Sequence, residues 1–194
     1  MFDSLKYNAV MFDDPQPDDR TANLLGALVM ALGDSLREAT EAASAHGAMA
    51  PAAIATIANA PGESLDALRR TLRLTPSGAG RLVDRLQADG LVERQPGSSG
   101  DGRAIALILT EKGRRIADAL LAERRRVLRE ALGLLSPGER ETLTPVLEKL
   151  LYGLTPDRER CDHTCRLCDF DDCPQDICPV EQAAIQAEHD GHQR

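Results

Sequence analysis

Apolar positions along the chain fall into six helical stripes, with one pair of alternating runs set between the fourth and the fifth. Leu24, Leu25, Leu28, Leu32 and Leu36 recur at helical spacing over 20–45, with Asn23, Asp34, Arg37, Glu38 and Glu41 on the other face and Gly47 as the stop. Residues 51–60 are small and apolar almost throughout (Ala52, Ile54, Ile57, Ala58), the pattern of a buried helix, closed by Pro61-Gly62. A short helix over 64–71 and a turn at Arg73-Leu74 follow. Thr75 and Pro76 then mark a helix start, cap and first helical position, and Leu82, Val83 and Leu86 give that helix a buried face. Ser77, Arg81 and Arg85, four residues apart, share a different, solvent-facing stripe. Asp89-Gly90 ends it, with glycine as the natural C′ residue.

Residues 91–95 and 104–109 read as two short strands, and the glycine-rich stretch 96–103 between them reads as a hairpin loop ending in Arg103. Thr110 then caps a long helix to about 132, carrying Ile116, Leu120, Leu121, Val127 and Leu128 on one side and Arg124, Arg125, Arg126 and Arg129 around the other. Ser136-Pro137-Gly138-Glu139 is a capping box opening a last helix to about 152, in which Pro145 is expected to kink or split the helix near Thr144. Helix, turn, helix and β-hairpin in that order make a winged helix-turn-helix, whose second helix enters a DNA major groove while the loop tip reaches the neighbouring minor groove. The long helices flanking this unit are wider than one wing domain needs and read as a dimer interface. The expected fold is therefore mainly α: a winged helix-turn-helix with a small β-hairpin wing and long terminal dimerisation helices.

Four segments in their joint order resemble the MarR (multiple antibiotic resistance regulator) family over roughly 20–152. They are the run from Leu74 to Leu86 (LTPSGAGRLVDRL), Gly90-Leu91-Val92-Glu93-Arg94, Asp101-Gly102-Arg103, and Leu109-Thr110-Glu111-Lys112-Gly113. The resemblance implies a homodimeric transcription factor with intertwined terminal helices, acting on double-stranded DNA at a pseudo-palindromic operator. It places Ser77, Arg81 and Arg85 on the DNA-facing helix and has Asp101 orient Arg103 at the wing tip. It also implies a small-molecule effector pocket between winged unit and dimer helices, which no residue here marks. Gly78 and Gly80 depart from the family pattern, standing where side chains usually contribute contacts, and each lowers helix propensity by about 1 kcal/mol against alanine.

Charge changes the picture once it is split by position. The net charge of −8 looks wrong for a DNA-binding protein. Yet residues 64–115 hold ten Lys/Arg against six Asp/Glu, a net of +4, leaving 13 basic and 25 acidic residues, −12, elsewhere. An aromatic content of 3% without Trp argues against a stacking surface for single strands. The start of the chain lacks the basic and apolar regions of a secretory leader, and no apolar run is long enough to span a membrane, so a cytoplasmic protein without membrane contact is expected. The body shows no His/Asp/Glu constellation and no phosphate loop opening a helix, so an enzyme is not expected.

The expected organisation is a flexible acidic arm over 1–19, a winged unit with its dimerisation helices over 20–154 (DNA-binding core 64–110), and a cysteine-rich, metal-binding tail over 155–194. All five cysteines, Cys161, Cys165, Cys168, Cys173 and Cys178, lie in that tail. From Cys165 onward the spacing is C-x2-C-x4-C-x4-C, followed directly by Pro179. Thiolates so spaced suit zinc, and closely spaced cysteines ending in Cys-Pro suit an iron–sulfur cluster equally well. Acidic neighbours are expected to raise the thiol pKa values. His163, His189 and His192 are further candidate ligands, though chain-end histidines are commonly just solvated. Two functions follow. One is a DNA-binding regulator, a repressor whose affinity is modulated by a small ligand or by a metal or redox centre at these cysteines. The other is a metal or electron-carrying protein in which the helical body scaffolds the cysteine site.

Overall fold

The computed structural model describes residues 19–47, 49–96 and 105–192. The arm and the loop tip carrying Asp101 and Arg103 lie outside the described residues. Eight helices and one two-stranded sheet are described: α1 (Asp19–Ser44), α2 (Ala50–Asn59), α3 (Leu65–Leu72), α4 (Pro76–Ala88), β1 (Val92–Pro96), β2 (Ile105–Leu109), α5 (Glu111–Gly133), α6 (Pro137–Gly153), α7 (Arg158–Cys165) and α8 (Pro179–His192). The capped starts read from the sequence are present at Thr75, Thr110 and Ser136, and the structure adds one at Ser64: each accepts a backbone N–H in the first turn that follows.

Helix α2 is the pivot of the core. Its sequence is apolar apart from Thr56 and Asn59, and seven of its ten residues are buried. Leu68 and Leu72 of α3, Val83 and Leu86 of α4, Leu91, Val92, Leu107 and Leu109 of the hairpin, and Ala117 and Leu120 of α5 pack with it into one cluster. The hairpin is antiparallel, with Val92 opposite Leu109, Arg94 opposite Leu107 and Pro96 opposite Ile105. Its second strand has another neighbour that the sequence pattern did not suggest. Gly62 N donates to Leu107 O (2.9 Å), Leu107 N donates to Glu63 O (2.9 Å), and Ser64 bridges to Ala106. The approach to α3 is thereby tied to the wing.

Helix α1 packs along α5 and ends at Ser44, short of Gly47. Ala45 takes a positive φ of 55°, and Ser44 Oγ satisfies the turn by donating to His46 O at 2.9 Å. Helix α6 runs unbroken through Pro145, contrary to the expected kink or split at Thr144. None of its residues is buried, so the carbonyl that proline leaves without a donor faces water, and the missing bond costs least there. The tail is not a loop around cysteines: it contains α7 and α8, packed on α3 and α6 respectively.

The tightest approach lies where α4, β1 and α5 meet. Thr110 Oγ1 donates to Gly90 O (2.7 Å), Thr110 N donates to Leu91 O (3.0 Å), and Leu91 N donates to Leu86 O (2.8 Å). A Cβ on Gly113 would stand 2.0 Å from Leu91 O and 3.0 Å from Leu91 C, both backbone atoms that cannot swing aside. The glycine of the Leu109–Gly113 segment is thus there for space. Gly113→Ala is expected to destabilise the fold by ~3 kcal/mol. Gly80→Ala, where nothing lies within 4 Å, is expected to stabilise it by up to ~1 kcal/mol. Thermal unfolding of the two variants checks the contrast.

Candidate nucleic-acid interface and cysteine site

The helix-turn-helix is closed by local chemistry. Arg73, the C-cap of α3, is left-handed (φ 53°, ψ 42°), its N–H bonding back to Arg69 O and Arg70 O, while Leu74 N donates to Arg69 O at 3.0 Å. Three residues therefore separate α3 from α4. Thr75 Oγ1 accepts from Gly78 N at 3.1 Å. A Cβ at Gly78 would come within 3.0 Å of that hydroxyl, so this glycine, read from the sequence as a lost contact, makes room for the cap. Ala79, Val83 and Leu86 of α4 are buried, and Ser77, Arg81 and Arg85 are exposed on its other side.

What sets Arg81 and Arg85 apart is the state of their neighbours. Arg69 and Arg70 pair with Asp66, and Arg114 and Arg115 pair with Glu111. Arg94 reaches from β1 to Asp84 Oδ1 and Gln87 Oε1, both 2.6 Å, clamping the wing to α4 and neutralising that helix's carboxylate. Arg81 and Arg85 have no hydrogen bond or ion pair among the described residues, and so present two uncompensated guanidinium groups on one helix face.

The end of α4 is held by His46. Its Nδ1 bonds Ser44 O at 2.6 Å and its Nε2 bonds Asp89 Oδ2 at 2.8 Å. A ring that donates at both nitrogens is an imidazolium, so the Ser44 carbonyl first and Asp89 second raise its pKa above 6.5, against opposition from burial and Lys112.

The five cysteines converge. Cys161 and Cys165 lie one turn apart on α7, a turn closed by Cys168 N donating to Cys165 O (2.8 Å) brings Cys168 round, Cys173 N bonds Asp169 O (3.0 Å), and Cys178 immediately precedes α8. All five line one cavity of about 150 Å³, whose other wall is the winged unit at Thr56, Asn59 and Thr71. Cys161 is engaged elsewhere: its thiol donates to Glu181 Oε2 (3.4 Å), and Glu181 is held by Arg158 at 2.7 Å. Cys165 is hydrogen-bonded to Cys161 and Cys168, which pushes its pKa far up. The same bond brings Cys168 down to about 6, helped by Arg124 and Arg166. Burial, then Cys178, pushes Cys173 up to about 11. The expectation that acidic neighbours raise the thiol pKa values therefore fails at Cys168, where the hydrogen bond with Cys165, helped by Arg124 and Arg166, outweighs burial and Asp169. Among the described residues, no group of three or more His, Cys, Asp or Glu side chains is placed to close on a single metal ion.

Sequence reasoning missed how the tail is held. Asn59 Nδ2 donates to Cys168 O (2.9 Å), His163 Nδ1 bonds Thr71 O (2.8 Å), and Arg125 bridges Asp169 (3.0 Å) and Asp172 (3.1 Å). His163 is thus a docking residue rather than a solvated one. Only the opposition of an arginine run at 124–126 to an acidic run at 169–172 hinted at this contact.

A short turn, an exposed basic second helix and a hairpin define a winged helix-turn-helix of the DNA-reading class. Residues 48–104 match the sequence model of the MarR family. Among solved structures, a Mycobacterium tuberculosis protein, RV1404, aligns with a TM-score of 0.62 and 22% identity, over 71% of this chain and 94% of its own. The apo form of MarR from E. coli aligns at 0.54 and 24%, over 66% and 96%. A MarR family protein of M. tuberculosis, Rv2887, in complex with DNA aligns at 0.51 and 25%, over 65% and 96%. Among curated proteins, none matches this sequence. The fold is thus a winged helix-turn-helix similar to those of MarR-family structures, with a segment over residues 48–104 that matches the family's sequence model. No helix among the described residues is long and apolar enough to cross a membrane.

The His46 contact generates a pH prediction. A raised folded-state pKa contributes stability that is complete below about 6.5 and is lost as pH rises through the raised value. His163, lowered chiefly by burial, acts with the opposite sign, on the acid side. The stability difference between the wild type and His46→Gln is therefore expected to shrink as pH rises from about 6.5 through the raised value, read as a difference in Tm across a pH series.

Proposed function

We propose that the protein binds double-stranded DNA as a homodimer, with α4 of each chain in the major groove at one half-site of a pseudo-palindromic operator, and that it represses transcription there. The observation that carries the reading is the pair of unpaired arginines, Arg81 and Arg85, on the solvent face of a capped helix whose other basic neighbours are neutralised. Ser77 shares that face. Recognition helices in this class read bases mainly from their N-terminal half, which favours Ser77 and Arg81 for base contact. Arg103, with Asp101 beside it in sequence, is assigned to the flanking minor groove.

Dimerisation is supported by two apolar surfaces. Helix α1 exposes Leu24, Leu25, Leu28, Val29 and Met30, and α6 exposes Val146, Leu147, Leu150 and Leu151, each more than a third accessible in the single chain. Apolar patches of this extent on a soluble domain mark interaction surfaces. A second copy is the occupant that also delivers a second α4, as a two-fold operator requires. The M. tuberculosis relative solved with DNA supports the choice of ligand. Affinity is set by a small ligand or by the state of the cysteine tail, which is built against α2 and α3.

Arg81→Ala or Arg85→Ala is expected to weaken binding to a selected operator by about 1–3 kcal/mol wherever the arginine reads a base edge, with little change on random duplex. Fluorescence anisotropy on both duplexes over a salt series checks this. Equal loss on both would make the two residues phosphate contacts, with a salt slope reduced by about one per charge removed.

A further inference from the structure

The tail cannot be stabilised by its own core. Its buried residues are Thr155, Cys161, Asp169, Cys178, Val180, Ala183 and Ala184, and its apolar cluster joins Cys161, Cys178, Val180 and Ala184 with Cys165 and Cys173 at the edge. No large aliphatic or aromatic side chain is among them. A segment of about forty residues with so little apolar surface to bury normally needs disulfides or a metal to hold its shape. No disulfide joins the cysteines among the described residues, and all five line one cavity.

We infer that Cys165, Cys168, Cys173 and Cys178 are the ligands of an iron–sulfur cluster seated in that cavity, and that the cluster fixes the tail against the first helix of the helix-turn-helix. Two observations carry this beside the convergence of all five cysteines on one cavity. The cavity, at about 150 Å³, is many times the ~10–15 Å³ that accommodates one water, and so is suited to a multi-atom group rather than a bare ion. Finally, Cys161 is spoken for by Glu181 and Arg158, which leaves four cysteines for four ligand positions. Four thiolates on such a core leave a net negative charge, and Arg124 and Arg166 lie close enough to the sulfurs to offset it. Assembly displaces one proton from each thiol.

The cavity's far wall makes the site more than a staple. Asn59 holds the carbonyl of Cys168, His163 on the cysteine-bearing helix holds the carbonyl of Thr71 at the end of α3, and Arg73 in the turn before α4 faces Glu159 at 3.7 Å. Loss of the cluster releases these contacts together and with them the placement of α4. This second step rests on the DNA-binding reading above; the first does not.

The test uses full-length protein purified without oxygen. Iron, acid-labile sulfide, zinc and visible absorption are measured on the wild type and on single Cys→Ser variants at all five positions, with circular dichroism as the folding control. DNA affinity is measured with and without the cluster on duplexes enriched from random sequence by the wild-type protein. The expected result is a coloured protein with about four irons and four sulfides per chain, lost on substitution of Cys165, Cys168, Cys173 or Cys178 and retained in Cys161→Ser. A 5–150-fold change in DNA affinity on cluster removal is expected for coupling of ordinary strength. One zinc per chain, disulfides in place of metal, or loss in Cys161→Ser equal to the others overturns the site. Equal affinity of both forms overturns the coupling. Failure to enrich any duplex, with iron and sulfide present, overturns the DNA-binding reading and leaves the site standing.

Discussion

The backbone of Leu91 is the point on which the winged unit depends. Its N–H closes the end of α4 on Leu86 O, and its carbonyl accepts from Thr110 at the start of α5 while lying against Gly113. One buried peptide unit thereby sets α4 relative to the long helix α5 that packs along α1. Because a Cβ cannot be inserted at Gly113, the angle between the two is fixed by contact rather than by a flexible side chain. The dimer proposed above, which holds two α4 helices at a set separation, needs such a rigid corner in each chain. His46 on Asp89 and Lys112 on the Asp89 carbonyl (2.8 Å) reinforce it from either side.

The segments legible in the sequence were those whose signals are local. Thr75-Pro76, Ser136-Pro137 with Glu139, Asp89-Gly90 and the alternation on both sides of the glycine-rich loop act within a few residues, and each element they announced is present. The buried face of α4 and the largely apolar α2 were legible for the same reason. Pro145 misled because a proline breaks a helix most decisively where its partner carbonyl is buried, and α6 is exposed throughout. The docking of the tail was not legible. It rests on Asn59, Thr71, His163 and Arg125, four residues of different types separated by up to 109 positions from what they touch. Nor could spacing alone show that the Cys161 thiol is hydrogen-bonded to Glu181.

Charge is organised to the same end. Carboxylates that would compete with a polyanion near α4 are occupied: Asp84 by Arg94, Asp66 by Arg69 and Arg70, Asp89 by His46. The acidic tail turns Asp169 and Asp172 inward to Arg125, so the excess negative charge outside the winged unit is partly consumed in holding the tail on the body. That arrangement brings the cysteine cavity within one helix of the turn between α3 and α4.

The central claim is that two chains present two α4 helices to one duplex. Hydroxyl-radical footprinting on a selected operator, with the mass of the same complex from analytical ultracentrifugation, tests it most directly. The account predicts two chains per duplex and two protected half-sites about 34–36 Å apart on one face of the DNA. A single chain protecting a single half-site, or protection that ignores sequence, would contradict it.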